Sequence, residues 1–294
     1  AVTDGDRVES EIKYGWNVNY YGIGDLVEIV SKTDKEEVQE KLAEYTSKYD
    51  INTKDLDAVK EQAKYEIAID KFLLKENISA FTDTFQDLHG LRQLPGLAVQ
   101  NVMAKGIGFG PEGDYKTSAL MAVMCKMAEG KQGATAFIED YTYDLTEGNE
   151  LELAAHMLEV SPVFAANKPK IEVHPLGIGS KEAPARLVFD SIEGQAIAVS
   201  MIDMGDRFRL ICAKINLVKQ PQAMPNLPVA RVMWKLIPDF KTGAAAWIYA
   251  GGAHHAVVST ALDTDDIRLF AKFTDTELVV IDENTDLNVF QNSL

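Results

Sequence analysis

The chain has 294 residues, of which 46% are hydrophobic and 25% are charged, and it carries a formal net charge of −16 with a pI near 4.7. These proportions are typical of a globular protein that is long enough for two hydrophobic cores. The negative charge argues against nucleic acid and anionic membrane surfaces as partners, because both would repel the chain, whereas a divalent cation would be attracted.

Cysteine usage and hydropathy indicate where the protein works. Cys125 and Cys212 are the only cysteines, and each lies in an apolar stretch. This pattern predicts two reduced thiols in the cytoplasm, with a disulfide between them as the alternative. No apolar run approaches the roughly 20 residues that span a bilayer, and the start of the chain lacks a signal-peptide pattern. We therefore expect a cytoplasmic protein without a membrane partner.

Helical periodicity dominates the chain up to residue 131. DRVESEIKYG near the start, TDKEEVQEKLAEYTSKYD and DLDAVKEQAKYEIAIDKFLLKEN all place apolar residues at helical spacing. Between the helices, the β-favouring stretches LVEIVS and ISAFTDTF predict a small sheet. Alternating helices and strands predict a helix-rich α/β layered, Rossmann-like domain over residues 1–131.

The composition changes to strands over residues 132–294. Short breaks at Gly, Asn, Asp and Pro separate these strands, and one late helix is predicted around DDIRLFAKF. The predicted strands are ATAFIEDYTYDL, ELELAAHMLEV, KIEVHPL, ARLVFD, QAIAVSMIDM, RFRLICAKINLV, AAAWIYAGG and TELVVID. The fold class is therefore α+β or α/β, with a mainly antiparallel β-barrel or sandwich as the second domain.

The glycine-rich loop GFGPEG, at residues 108–113, has the spacing of a dinucleotide-binding fingerprint. That fingerprint follows a strand, whereas the preceding LAVQNVMAKG has a helical pattern, so a nucleotide site is disfavoured. Asp114 is a good N-cap for the helix that follows. The helix N-terminus would favour the ionised form of Glu112, as a metal ligand requires, and the alternative is a solvated loop acid.

Strand alternation in FIEDYTYD puts Glu139, Tyr141 and Tyr143 on one face and the even-numbered residues on the other. A carboxylate flanked by aromatic rings suits a sugar site, because the acid binds hydroxyl groups and a ring packs against C–H groups. A rim of surface tyrosines is the alternative.

Three of the five histidines are candidates for the same site. His156 shares its strand face with small and apolar residues in LELAAHMLEV, and His254 and His255 are neighbours in YAGGAHHAVV. The alternative is a set of core histidines bonded to carbonyl groups. If the pair lies in extended chain, its side chains point to opposite faces, so that both cannot easily bind one ion. Gly251 and Gly252 would let the backbone turn close to the site.

Taken together, Glu112, Glu139, His156 and one histidine of the pair would make an open octahedral site for an ion such as Mn²⁺. A thiolate zinc site lacks cysteines, and neither HExxH nor GxSxG occurs in the chain. The residues alone therefore favour metal chemistry over nucleophilic catalysis.

Seven segments, in their order along the chain, resemble the L-arabinose isomerase family over essentially the whole sequence. They are DLHGLRQLPGLAVQ, PEGDYKTSAL, IEDYTYD, HMLEV, HPLGIG, GDRFRL and GGAHH. The resemblance implies a cytoplasmic enzyme that interconverts L-arabinose and L-ribulose, and D-galactose and D-tagatose. It also implies one Mn²⁺ per subunit, with Co²⁺ or Mg²⁺ as substitutes.

The resemblance also implies roles for individual residues. The metal would bind the O1 and O2 oxygens of the opened sugar, and two glutamates would transfer protons through a cis-enediol. Sequence does not decide which glutamate removes the C2 proton, and we assign that step to Glu112. The implied metal ligands are Glu112, Glu139, His156 and His255, and the implied sugar-binding residues are Phe85, Tyr141 and His254.

Members of this family carry an N-terminal domain ahead of the position of Ala1 and assemble as hexamers, so we expect a homo-oligomer. If the chain is complete at 294 residues, the resemblance implies weak turnover with metal binding largely retained. The alternatives are a related sugar isomerase, such as one that acts on fucose, and a truncated, non-catalytic fragment that retains the metal site.

Overall fold

The structure is a computed structural model that describes residues 3–294. Helices are concentrated in the first half of the chain and strands in the second. Within residues 3–294, no helix combines the length and the apolar character needed to cross a bilayer.

Most of the helices begin at an aspartate whose side chain accepts hydrogen bonds from the first-turn N–H groups, as Asp34, Asp55 and Asp263 do. The helices predicted near the start of the chain are confirmed as α1, α3 and α4, and the late helix as α8. The helices of the described chain are α1 (Arg7–Tyr14), α2 (Ile23–Ser31), α3 (Lys35–Lys48), α4 (Leu56–Glu76), α5 (Gly96–Ala104), α6 (Tyr115–Met127), α7 (Phe240–Ala250), α8 (Thr264–Thr274) and α9 (Leu287–Ser293).

The strands fall into two groups by length. Three two-residue strands lie among the helices, and longer strands follow from residue 135 onward. The strands are β1 (Asp50–Ile51), β2 (Ala80–Phe81), β3 (Gly108–Phe109), β4 (Thr135–Asp144), β5 (Leu151–Ala155), β6 (Lys170–Val173), β7 (Ala185–Val188), β8 (Gly194–Asp203), β9 (Phe208–Val218), β10 (Val232–Leu236), β11 (His255–Ser259) and β12 (Glu277–Ile281).

Two stretches predicted as strands are helices, so those two predictions are wrong. LVEIVS lies within α2, where its apolar residues pack against the main core. AAAWIYAGG forms most of α7. The side chain of Asp239 caps α7 by accepting a hydrogen bond of 2.9 Å from the N–H of Thr242, and Gly251 ends the helix in the left-handed region at φ 85°. The cap therefore outweighs the strand propensity of the short apolar run.

Two small sheets pack with the helices of the first part of the chain, and one of them takes β6 and β7 from the second part. Strand β1 pairs parallel with β6, which pairs antiparallel with β7, and β2 pairs parallel with β3. Helices α4 and α5 pack against the first sheet and α6 packs against the second. Helices layered on short, partly parallel strands thus make up this region.

Six of the longer strands close into an antiparallel barrel, in the order β10, β5, β4, β11, β8 and β9, with β9 pairing back to β10. The predicted antiparallel barrel is confirmed. Strand β12 adds to β9 in parallel, outside the ring. Helix α6 lies across the outer face of β4, β11 and β8, so its N-terminal end faces the strands that carry Glu139 and His255.

Candidate metal centre

The barrel strands bring three of the sequence-predicted residues together. Glu139 on β4 is the direct cross-strand partner of His255 on β11 and of Ala155 on β5. His156 follows Ala155 at the end of β5, and its Nε2 lies 3.8 Å from Glu139 Oε2. The ring centres of His156 and His255 are 6.3 Å apart. Neighbouring strands therefore place one carboxylate between two imidazoles.

Glu112 reaches the same place from the loop between β3 and α6. The glycines of this loop have a packing role, because a Cβ at Gly108 would lie 2.0 Å from the Ser118 carbonyl oxygen and one at Gly110 would lie 2.5 Å from that of Asp114. The close approach of the loop to α6 thus accounts for the glycine spacing that resembles a nucleotide fingerprint. Asp114 caps α6 as predicted, by accepting a hydrogen bond from the N–H of Thr117.

The paired histidines lie side by side, with ring centres 4.1 Å apart. The expectation that they point to opposite faces is wrong, because β11 begins at His255 and His254 lies in the bend before it, where strand alternation does not apply. His254 Nε2 is 4.0 Å from Glu112 Oε2. One ligand atom each from Glu112, His254 and His255 lies within 4.8 Å of the others, so these three residues could hold a metal ion.

His255 has the chemistry expected of a metal ligand. It is fully buried, and its Nδ1 lies 2.9 Å from Asp114 Oδ2. Its Nε2 is also buried and makes no hydrogen bond to the described residues. If Nδ1 carries the proton that it shares with Asp114, the Nε2 lone pair is left free for an ion. A buried nitrogen without a partner is costly unless something binds it, so this donor set fits a metal.

His156 is oriented in the same way by a second carboxylate. Its Nδ1 is hydrogen-bonded to Glu159, which leaves Nε2 directed toward Glu139. Burial alone would lower the pKa of His156, but the carboxylates of Glu159, Glu139 and Glu112 outweigh it and leave the pKa raised. Each buried imidazole thus has one nitrogen held by an acid and one directed into the site.

The carboxylates of the site have perturbed pKa values. Burial raises the pKa of Glu139, and the neighbouring His156 and His255 counteract that effect in part. Burial, followed by the charge of Glu159, raises the pKa of Asp83 to about 7. Burial would also raise the pKa of Asp114, but the hydrogen bond to His255, the charge of Lys116 and the hydrogen bonds from Thr117 together outweigh it, and the pKa is lowered. Acids with unequal proton affinities are therefore gathered around two imidazoles.

The predicted sugar-binding residues differ in what surrounds them. Tyr141 is partly exposed, and its hydroxyl lies 3.5 Å from the sulfur of Met157, which follows His156. His254 lies at the edge of the site beside Glu112. Phe85 follows β2 and packs against the main core. The contacts of all three residues with a sugar stay predictions.

Strand β4 contains a β-bulge that changes its alternation. The pairing with β5 shifts between Asp140 and Thr142, so one extra residue lies in β4. As a result, Tyr143 shares a face with Asp140, to which its hydroxyl donates a hydrogen bond of 3.1 Å. The prediction that Tyr143 lies on the same face as Glu139 is wrong, because the extra residue reverses the face to which each later side chain points.

Two family models match the chain. One describes the L-arabinose isomerase central domain and matches residues 1–130, and the other describes the L-arabinose isomerase C-terminal domain and matches residues 134–277. The chain belongs to the L-arabinose isomerase family. The central-domain match precedes the C-terminal-domain match along the chain, in agreement with the order of the seven segments that carry the resemblance.

Individual members of the family are similar over the whole chain. The chain is 52% identical over 295 residues to the L-arabinose isomerase of Clostridium beijerinckii, and 53% identical over 296 residues to that of Thermotoga petrophila. It is 52% identical over 300 residues to that of Geobacillus stearothermophilus. Each match covers all of this chain and 60% of the relative, so the chain spans about 60% of the length of these relatives.

Sequence reasoning missed the acids that support the imidazoles. Glu159 is three residues after His156, a spacing that could have suggested the pair. Asp114 was assigned only as a helix cap, and its contact with His255 joins residues 141 positions apart. Arg186 was also missed, although its buried guanidinium donates to the carbonyl oxygen of Met157 at 3.2 Å. No local pattern marks the last two contacts.

Proposed function

We propose that this chain forms the catalytic metal centre of an aldose–ketose isomerase that interconverts L-arabinose and L-ribulose. The observation that carries the proposal is the free, buried Nε2 of His255, which faces a site shared with two glutamates and a second imidazole. Membership of the L-arabinose isomerase family supplies the reaction. D-galactose, which would give D-tagatose, is proposed as a second substrate.

We propose Mn²⁺ as the ion, with Co²⁺ and Mg²⁺ as substitutes. Two oxygen and two nitrogen ligands suit a borderline-hard ion of this kind. When bound, the ion would polarise the sugar oxygens and stabilise the negative charge that develops during the reaction. His254 lies close enough to Glu112 to join or replace one of these ligands. The proposed ligands are Glu112, Glu139, His156 and His255.

The two glutamates would move the protons. Glu112 is the proposed base for the C2 proton, because its side chain is 39% exposed and is accessible from the open side of the site. Glu139 would hold and return hydroxyl protons, since it lies between His156 and His255 and burial raises its pKa. The resulting cis-enediol would be reprotonated at C1.

The remaining residues would bind and orient the sugar. Tyr141 and His254 border the glutamates, and Phe85 is proposed to complete the apolar wall of the pocket. Asp114 and Glu159 would hold the two imidazoles so that each presents one nitrogen to the site. These contacts orient the reacting groups before substrate arrives, which is where much of the catalytic effect of such sites originates.

Several broader properties belong to the same proposal. We propose a cytoplasmic homo-oligomer, and the two unbonded cysteines agree with a reducing compartment. We also propose a boundary at residues 131 and 132 between a Rossmann-like central domain and the barrel domain. The parallel pairing of β2 with β3 supports an α/β layering before that boundary.

The test is ketose formation from L-arabinose by the full gene product with Mn²⁺. We expect L-ribulose from the wild-type protein, and no measurable ketose from Glu112→Gln, which removes a proposed base and ligand. Glu129→Gln, in an exposed acid beyond the C-terminal end of α6, is the matched control and should retain activity. L-fucose and D-galactose in the same assay separate the related isomerases, and a clear preference for L-fucose would contradict the proposed substrate.

A further inference from the structure

A short N-terminal segment, residues 3–6, lies across the first turn of α6, next to the loop that carries Glu112. The side-chain nitrogen of Lys116 donates to the carbonyl oxygens of two residues of this segment, and the hydroxyl of Tyr115 donates to a third at 2.9 Å. A Cβ at Gly5 would lie 2.9 Å from Cδ of Lys116. The segment is therefore packed tightly onto the start of the helix.

One hydrogen bond joins this segment to the candidate ligand residue itself. Thr3 Oγ1 donates to the carbonyl oxygen of Glu112 at 2.7 Å, and Thr3 is only 6% exposed. On the other side of the same peptide unit, the N–H of Gly113 donates to the carbonyl oxygen of Asp83 at 3.0 Å. Both polar groups of the peptide between residues 112 and 113 are thus held, which fixes the orientation of its plane.

This peptide needs such support because Glu112 has an unfavourable backbone. Its φ is 60°, in the left-handed region that residues with a Cβ rarely adopt. A conformation of this kind persists only where the surroundings hold it, and it is common at functional sites. If the peptide rotated, the carboxylate of Glu112 would leave its place beside His254.

We propose that Thr3 is a positioning residue that holds Glu112 in the geometry required for metal binding and proton transfer. The inference rests on the function proposed above. Thr3 acts through the backbone of Glu112 and touches neither the sugar nor the ion. The segment that carries Thr3 is thereby a functional part of the site, although it lies outside the strands and loops that supply the ligands.

The test compares Mn²⁺ affinity among three variants of the full gene product. Thr3→Val removes the hydroxyl at nearly constant volume and should raise the Mn²⁺ dissociation constant about tenfold, as loss of a supporting contact does at metal sites. Thr3→Ser keeps the hydroxyl and should restore the affinity. Thr33→Val removes a similar hydroxyl-to-carbonyl bond of 3.1 Å at the end of α2 and should change nothing.

A double-mutant cycle with Glu112→Gln decides whether the effect passes through Glu112. We expect Thr3→Val to have no further effect on Mn²⁺ affinity once Glu112 is replaced. An equal loss in both backgrounds would overturn the proposal, because Thr3 would then act by general destabilisation.

Amide hydrogen exchange at Gly113 gives a readout that does not depend on metal. Exchange should be faster in Thr3→Val than in the wild type and should return to normal in Thr3→Ser; unchanged exchange would overturn the proposed positioning role. If Glu112→Gln leaves Mn²⁺ affinity intact, the metal centre itself is wrong, and exchange at Gly113 still decides whether Thr3 holds the loop.

Discussion

Two neighbouring carboxylates on β4 face opposite sides of the barrel wall. Glu139 points outward to His156 and His255, whereas Asp140 points inward, into a cavity that it shares with Glu152. Burial raises the pKa of both neighbours. Two imidazoles offset that effect for Glu139, while for Asp140 the largest offset is the hydroxyl of Tyr143.

The difference shows that the role of a buried acid depends on the groups that face it. Inside the barrel, burial and then the charge of Asp140 raise the pKa of Glu152 to about 8, so this carboxyl is protonated near neutral pH. Outside the barrel, Asp114 and Glu159 each hydrogen-bond Nδ1 of an imidazole, His255 and His156, which leaves Nε2 of each ring available to a ligand. The outer group suits metal binding and proton transfer, and the inner group suits the packing of a neutral acid.

Exchanging each of the two neighbours for its amide tests this contrast most strongly. We expect Glu139→Gln to lower kcat for L-arabinose isomerisation by about 10²–10⁴-fold, because it removes a carboxyl that we propose as a proton-transfer group. The matched variant Asp140→Asn should keep kcat within a few-fold of the wild type. Steady-state kinetics with Mn²⁺ present measure both, and equal losses in the two variants would contradict the division of roles.

The buried carboxyl of Glu152 should make the stability of the protein depend on pH. Since the folded pKa of Glu152 is about 8 and the ordinary value is 4.5, the folded state keeps a proton that the unfolded state releases between these pH values. Stability due to this group therefore falls as pH rises through that window, and the penalty is complete above pH 8. Glu152→Gln removes the penalty, which is about 5 kcal/mol at its maximum.

The measurement is the free energy of unfolding by urea at pH 5 and at pH 9. Glu152→Gln should match the wild type at pH 5 and exceed it at pH 9. Glu147→Gln, in an exposed turn, is the control and should follow the wild type at both. If Glu152→Gln does not raise the free energy of unfolding at pH 9, the carboxylate of Glu152 is solvated in the folded protein.

The smallest expected effect concerns the acid that orients His255. Asp114→Asn keeps a side chain that can cap α6 but loses the carboxylate that accepts a hydrogen bond from Nδ1 of His255. Mn²⁺ affinity should fall about tenfold, as measured by calorimetry. Asp263→Asn makes the same change at the cap of α8 and should leave Mn²⁺ affinity unaltered. If Asp263→Asn also lowers Mn²⁺ affinity, the loss in Asp114→Asn comes from weaker helix capping.

Much of the fold could be predicted because its signals are local. Helical spacing of apolar residues predicted α1, α3 and α4, one late helix was predicted at α8, and runs of β-favouring residues predicted most of the barrel strands. α7 was missed because Trp247, Ile248 and Tyr249 favour strands, although the alanines before them favour a helix, and the cap at Asp239 lies outside the apolar run. Propensity over a short stretch is easily overridden by such a contact.

The candidate site was predictable to a smaller extent. The residues that carry the family resemblance could be named, and the structure brings Glu112, Glu139, His156 and His255 to one end of the barrel. The supporting contacts could not be named in advance. Asp114 meets His255, and Thr3 meets Glu112, only after distant parts of the chain have folded together.

The bulge in β4 makes chain length a determinant of what the barrel contains. Residues up to Asp140 keep one phase of the pleat and those from Thr142 onward keep the other. A β4 of the same residues without the bulge would place Thr142 inward and turn Tyr143 outward, whereas deleting Tyr141 would remove the extra residue and leave Tyr143 facing inward beside Asp140. The one extra residue thus decides which side chains beyond Asp140 line the barrel, and any redesign of this strand has to count residues as carefully as it chooses them.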